Sequence, residues 1–207
     1  MAAMDARRHW EGVYQTKSPD QTSWYGPRLS TSLEWIAEAA PERSSAIVDV
    51  GGGESTLPDD LLALGYCNIT VLDIAESALR KSQARLGEAA ERIRWVAGDV
   101  TQVALPEQTY DLWHDRAVFH FLTDPTERAA YVQQLASALK SGGHALIATF
   151  GPEGPERCSG LVTNRYDAAG LARELGPDFL PQKSSLVEHR TPRGTTQQFL
   201  YCDFVRK

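Results

Sequence analysis

Apolar residues recur along this chain in two rhythms. Five short runs are apolar at nearly every position: "AIVDV" (46–50), "NITVLDI" (68–74), "IRWVAGDV" (93–100), "YDLWHD" (110–115) and "HALIATF" (144–150). Runs of that length read as buried strands. Helical spacing fills the gaps between them. "SLEWIAEAA" (32–40) places Leu33, Ile36, Ala37 and Ala40 on one face. "TLPDDLLALG" (56–65) sets Thr56 and Asp59 in capping-box spacing and ends on Gly65. "ESALRKSQARLGEAA" (76–90) is a further helix. Another opens with Asp124 as N-cap, Pro125 at its first position and Glu127 behind them, and closes on Gly142 and Gly143. Strands that alternate with helices predict an α/β protein with a parallel, doubly wound sheet.

After Phe150 the rhythm changes. Residues 151–160 form a Gly- and Pro-rich loop, and "DAAGLARELG" (167–176) one more helix. "SSLVEHR" (184–190) and "TQQFLYCDFVR" (196–206) pair as antiparallel strands completing the same sheet. No linker divides the 207 residues, so a single domain over 1–207 is expected.

Between the first strand and its helix lies "VDVGGGEST" (48–56), the most informative stretch. A dinucleotide-binding loop reads GxGxxG and receives a pyrophosphate. Gly51 and Gly53 fit its first two positions, but Thr56 stands at the third, and Asp49 precedes the loop. A carboxylate about 6 Å from a phosphate is repelled by roughly 3 kcal/mol per charge pair at an effective dielectric near 20. The same carboxylate favours a cationic ligand, and Glu54 adds a second negative charge. Asp73 ends the second strand, where a carboxylate accepts ribose hydroxyls. Asp99 ends the third, suited to an adenine amino group. Three acids at successive strand ends converge on the crevice where such sheets bind ligands. S-adenosylmethionine, with a sulfonium, an ammonium and no phosphate, suits that lining.

These stretches carry a family resemblance. "VDVGGGEST", "VLDI", "AGDV", "YDLWHDRAVFHFL" and "LKSGGHALIATF" resemble the successive motifs of class I S-adenosylmethionine-dependent methyltransferases. The resemblance implies a Rossmann-like sheet of seven strands in the order 3-2-1-4-5-7-6, with strand 7 antiparallel. It implies cofactor contacts from Asp49, Gly51, Gly53, Asp73, Ile74, Asp99 and Val100, with His114 beside them. It divides the chain into an N-terminal helical and aromatic lid (1–44), a cofactor-binding core (45–150) and a substrate-side loop with the C-terminal strands (151–207). The lead-in "HWEGVYQTKSPDQTSWYGP" resembles that of small methyltransferase-like enzymes, in which aromatics close over the cofactor. Tyr14 and Trp24 are the candidates for that contact, and the competing reading of Trp10, Tyr14, Trp24 and Tyr25 is core aromatics.

The acceptor side is read from "HDRAVFHFLTD" (114–124), which follows the fourth strand. "DR" before small and apolar residues resembles thiopurine- and thiol-methyltransferase-like families, where the matching Arg lies at the acceptor pocket. Methyllysine-forming relatives show a similar "DKG". Asp115, Arg116 and His120 are therefore the candidate catalytic residues. A helical turn after the strand would set Arg116 and His120 on one face, with His120 orienting or deprotonating the acceptor. His114 is a second candidate base. Cys158 and Arg157 are candidates for lining the pocket, and the competing reading of Arg116 and His120 is an ion pair and a core side chain.

Composition narrows the picture. The net charge of −6 and the absence of NPPY-type or Pro-Cys motifs argue against nucleic acid as partner. Three scattered cysteines, Cys67, Cys158 and Cys202, have no CxxC spacing, which predicts reduced thiols in a cytoplasmic protein and no metal site. The first residues lack an apolar signal region, and no run approaches the ~20 residues that span a bilayer. The expectation is a monomeric or homodimeric enzyme methylating S, N or O of a small molecule. A protein lysine N-methyltransferase is the nearest alternative. A non-catalytic cofactor-binding regulator is the alternative of another class, and an NAD oxidoreductase is disfavoured by Asp49 and the missing third glycine.

Overall fold

The computed structural model describes residues 3–207, with side chains from residue 5 onward; Met1 and Ala2, where the first-residue reading begins, lie outside the described residues. Strands β1 (Ile47–Val50), β2 (Ile69–Asp73), β3 (Ile93–Ala97), β4 (Tyr110–Arg116) and β5 (Leu139–Phe150) form where the apolar runs predict them. A two-residue hairpin, β6 (Arg157–Cys158) and β7 (Leu161–Val162), stands apart, and β8 (Phe179–Arg190) and β9 (Thr196–Arg206) finish the main sheet. Its order is β3-β2-β1-β4-β5-β9-β8, with β9 antiparallel to both neighbours. With the hairpin set aside, this is the expected 3-2-1-4-5-7-6 order of a Rossmann-like methyltransferase fold.

Helices α1 (Ala3–Thr16), α2 (Ser30–Ala39), α3 (Leu57–Ala63), α4 (Glu76–Leu86), α5 (Pro125–Ala138) and α6 (Ala168–Leu175) connect and cover the sheet. Alternation along each strand divides the core in two. Ile47 of β1, Val71 of β2 and Leu112 of β4 pack against Leu33 and Ile36 of α2, Leu61 of α3 and Leu79 of α4. Val48 and Trp113 face the other way, onto Tyr131 and Leu135 of α5 and Leu171 of α6. By the same alternation Asp49, His114 and Arg116 belong to the α2 face, and Asp115 to the α5 face.

Three local expectations change. Thr56 makes no capping bond to α3; its hydroxyl donates to the Pro27 carbonyl, while Ser55 Oγ accepts from Leu57 N at 3.1 Å and Asp59 pairs with Arg85 at 2.7 Å. Helix α5 opens on Asp124, whose side chain accepts from Thr126 N, but it ends at Ala138 rather than at the glycine pair. Leu139 pairs with Tyr110 across the sheet, so strand pairing takes over four residues early. The stretch 87–92, expected to continue α4, is a 3-10 turn beginning at the left-handed Gly87.

Helix α1 is tied to α4 from a distance. Ala75, at the N-cap position of α4, has no side chain able to cap it. The Glu11 carboxylate accepts from Glu76 N at 2.7 Å and from Ser77 N at 3.3 Å instead, satisfying donors a helix start leaves free. Lys81 of α4 donates to the Tyr14 carbonyl near the end of α1 and pairs with Glu54 at 2.7 Å. The N-terminal helix is thereby held across the C-terminal ends of β1 and β2.

Candidate functional site

The loop after β1 needs its glycines. Gly51 and Gly53 have φ of +68° and +48°, a region costly for residues with a Cβ. A Cβ on Gly51 would collide with Val118, and one on Gly53 would lie 2.5 Å from the Tyr14 hydroxyl. The loop stays flat under α1, leaving room for a ligand above it.

Two buried carboxylates flank the loop, each satisfied differently. Asp49 is 2% exposed; its Oδ1 lies 2.7 Å from His114 Nδ1, and its Oδ2 is buried with no partner among the described residues. The pairing follows from register, because Asp49 and His114 are direct neighbours on parallel β1 and β4. Asp73 is 4% exposed and accepts from Ala75 N at 2.8 Å. Burial, abetted by the charges of Asp49 and Glu11, raises its pKa to about 7 against the pull of backbone N–H groups of Ala75 and Gly53. Asp99 caps the turn after β3, accepting from Thr101 N at 2.9 Å.

Above these groups lies a cleft of about 940 Å³. Gly51, Asp73, Ile74, Asp99 and Val100 form its floor, and Tyr14, Trp24 and Arg116 its walls. The roof is aromatic: Trp10 packs edge-on against Phe121 at 4.9 Å and Trp24 at 5.7 Å, and Tyr14 lies 6.4 Å from Trp24. A smaller cavity of about 510 Å³ shares Tyr14, Trp24, Gly51 and Arg116 with the first and adds Asp49, Glu54 and His114. Arg116 thus stands in the wall between the two. Its Nη1 donates to the Trp24 carbonyl at 2.9 Å, its Nε donates to the Tyr201 hydroxyl at 3.2 Å, and its guanidinium covers Phe199 at 4.5 Å.

The segment after β4 corrects the expectation for two residues. Ala117 adopts φ +74°, so the chain leaves the strand through a left-handed residue and not a helical turn. Arg116 and His120 therefore share no helical face. His120 is fully buried, stacked on Phe150 at 4.1 Å, and its Nδ1 accepts from Phe150 N at 3.2 Å. Burial, aided by the Arg116 charge, lowers its pKa to about 3, and it lines neither cavity. Asp115 is also fully buried, on the opposite sheet face from Arg116. Its carboxylate accepts from Val118 N, Phe119 N and the Tyr131 hydroxyl, which fixes the turn, and burial raises its pKa to about 6. Neither side chain reaches the cleft.

Cys158 and Arg157 line neither cavity; Cys158 is buried 3.6 Å from Ser23 Oγ, and exposed Arg157 donates to the Gly160 carbonyl. Sequence reading missed Ala6, Thr101, Phe121 and Leu122 on the cleft wall. Phe121 had a signal, since it is an aromatic just after the strand-four turn. Among the described residues no group of three or more His, Cys, Asp or Glu is arranged to hold a metal, and no helix is long and apolar enough to cross a membrane.

Residues 47–143, spanning β1 to the start of β5, match the family described as methyltransferase domain. The chain matches that family over less than half of its length, on the parallel part of the sheet. It is 35% identical over 158 residues to a malonyl-[acyl-carrier protein] O-methyltransferase of Anoxybacillus flavithermus, covering 73% of this chain and 57% of that protein. It is 26% identical over 139 residues to the eEF1A lysine and N-terminal methyltransferase of Bos taurus, covering 67% of this chain and 19% of the relative. The chain thus spans less than two thirds of either curated relative. Burkholderia thailandensis 1,6-didemethyltoxoflavin-N1-methyltransferase, solved with 1,6-didemethyltoxoflavin and S-adenosylhomocysteine bound, superposes with a TM-score of 0.76. That match covers 100% of this chain and 91% of that one at 20% identity.

His120 now has a structural assignment with a direct test. His120→Ala should cost about 3 kcal/mol, as for other buried rings, and lower Tm. The depressed pKa also sets a sign: the neutral folded form contributes stability fully present above pH 6.5 and lost as pH falls toward 3. Acid titration of wild type and variant, followed by circular dichroism, should show the variant less sensitive across that window. Turnover per folded molecule should stay near wild type.

Proposed function

We propose that this chain is an S-adenosylmethionine-dependent methyltransferase acting on a sulfur, nitrogen or oxygen atom of a small-molecule acceptor. The observation that carries it is Asp49 Oδ2, a buried carboxylate oxygen without a donor beside the glycine loop. A phosphate there meets repulsion, while a cationic ligand supplies the missing partner. Asp73 holds ribose hydroxyls, Ile74 and Val100 flank the adenine, Asp99 faces its amino group, and Tyr14 and Trp24 close over the whole. The bound sulfonium supplies an already activated methyl group. What remains for the chain is alignment, worth up to about 7–11 kcal/mol.

Arg116 is the acceptor contact. Two of a guanidinium's five N–H donors are used on Tyr201 and Trp24, which sets the orientation of the others toward the cavities. A polar or anionic handle fits that fork, and the aromatic walls fit an apolar body. His120 is buried away from the cleft, and both ring nitrogens of His114 are engaged by Asp49 and Ser32, so neither histidine is free to act as a base, which favours an acceptor ionised without help. A thiol is such an acceptor, as the thiol-methyltransferase-like motif implies. A protein lysine is the second reading. The bovine relative's name supports it, whereas the roofed cleft and the full-length likeness to the toxoflavin enzyme support a small molecule.

Asp73 gives the first test. Ribose hydroxyls donate to the ionised carboxylate, so binding favours proton loss from a group titrating near 7. Calorimetry should find S-adenosylhomocysteine binding about tenfold weaker at pH 6 than at pH 8, and Asp73→Asn should bind weakly at both with little pH dependence. Arg116 gives the second. In a labelled-methyl assay, Arg116→Ala should lower kcat/KM for 4-mercaptobenzoate about tenfold or more. The loss for uncharged benzenethiol should be smaller, with S-adenosylhomocysteine affinity nearly unchanged. Transfer by wild type to cell-extract protein alone would turn the assignment to the lysine reading.

A further inference from the structure

A line of hydrogen bonds crosses the sheet between the two cavities, through two residues, Ser32 and Tyr201, that no sequence motif marks. It begins at Asp49 Oδ1, 2.7 Å from His114 Nδ1. His114 Nε2 lies 2.9 Å from Ser32 Oγ on α2, and Ser32 Oγ lies 3.4 Å from the Tyr201 hydroxyl on β9. Tyr201 in turn accepts from Arg116 Nε at 3.2 Å. Asp49, His114, Ser32 and Tyr201 are exposed by 2, 2, 1 and 6%. Water has little access to any link.

Donor and acceptor inventories give the line one direction. A guanidinium only donates, and an ionised carboxylate only accepts. Each of the three groups between them must then accept once and donate once. Arg116 donates to Tyr201, Tyr201 to Ser32, Ser32 to His114 Nε2, and His114 Nδ1–H to Asp49. If Ser32 instead donated to Tyr201, the tyrosine hydrogen would be buried without an acceptor among the described residues. That loss makes the reverse arrangement costly.

We propose that Ser32 and Tyr201 are positioning residues for methyl transfer: through them a single polar line fixes the proton of His114 on Nδ1 and sets the plane of the Arg116 guanidinium. The inference rests on the reading of Arg116 as the acceptor contact. At one end the free Asp49 Oδ2 meets the methyl donor; at the other Arg116 meets the acceptor. The β1–β4 register and the packing of α2 keep the two ends at a constant separation, which alignment for in-line transfer requires.

Tyr201→Phe and Ser32→Ala each remove one hydroxyl from the full chain and little volume. The first measurement is nitrogen-15 NMR of histidine-labelled protein, with His114 assigned through His114→Gln. Wild type should show Nδ1 protonated and Nε2 unprotonated and hydrogen-bonded, and Ser32→Ala should shift the Nε2 signal toward that of a free acceptor nitrogen. The second measurement is kinetic, with 4-mercaptobenzoate as acceptor. Both variants should raise its KM about tenfold and lower Tm modestly, because each leaves buried polar partners unpaired, while the S-adenosylhomocysteine dissociation constant stays near wild type. The double variant should be little worse than the worse single one, because breaking a line twice costs no more than breaking it once. A proton on His114 Nε2, or an unchanged KM in both variants, overturns the proposal. The histidine spectrum needs no turnover. A wild type that methylates nothing therefore contradicts the proposed function, and the spectrum still decides whether the polar line exists.

Discussion

Burying carboxylates at the ends of neighbouring strands is the constraint around which the rest of this molecule is arranged. An ionised carboxylate moved away from water without a partner is costly, yet Asp49 and Asp73 are each under 5% exposed and lie close enough to raise one another's cost. The fold meets the demand in two ways. Asp49 faces an imidazole placed opposite it by strand register, and Asp73 takes backbone N–H groups from the glycine loop and from the start of α4. Neither solution is complete: one oxygen of Asp49 stays without a donor and Asp73 is held partly protonated near neutrality. Residual strain of this kind is what a bound ligand relieves.

The surroundings follow from that arrangement. The loop between the acids runs through left-handed glycines, because side chains at Gly51 or Gly53 would enter Val118 or Tyr14. Tyr14 reaches that position only because α1 is latched to α4 by Glu11 and Lys81. The aromatic roof then covers the cleft with Trp10 and Tyr14 of α1 beside Trp24 and Phe121. One sheet face carries the polar line: His114 contacts Ser32 of α2, and Arg116 contacts Tyr201 and covers Phe199. On the other face Asp115 ties the post-strand turn to Tyr131.

Much of this was legible in the residue pattern. The strands, the acids at their ends and the two special glycines come from local signals: apolar runs, the residue that ends them, and the spacing of glycine; the strand order came from the family resemblance. The side of the sheet occupied by Asp115 was also legible. In "YDLWHDR" the period of two puts Asp115 with Trp113 and His114 with Arg116. Spacing of four between Arg116 and His120 misled, because it presumes a helix that left-handed Ala117 interrupts. The cap that Glu11 supplies to α4, 65 positions away, and the hydroxyls of Ser32 and Tyr201 had no sequence signal at all. They arise from tertiary contacts between segments whose own patterns are those of ordinary core elements.

The central claim is that the cleft is built for a phosphate-free nucleoside bearing an ammonium group and rejects a dinucleotide. Titration calorimetry on the full chain compares the two ligand classes directly. S-adenosylhomocysteine should bind in the micromolar range, and NAD should give no measurable heat at the same concentrations. Tight NAD binding beside undetectable S-adenosylhomocysteine binding would contradict the account, because it would require Asp49 to tolerate a pyrophosphate against its charge.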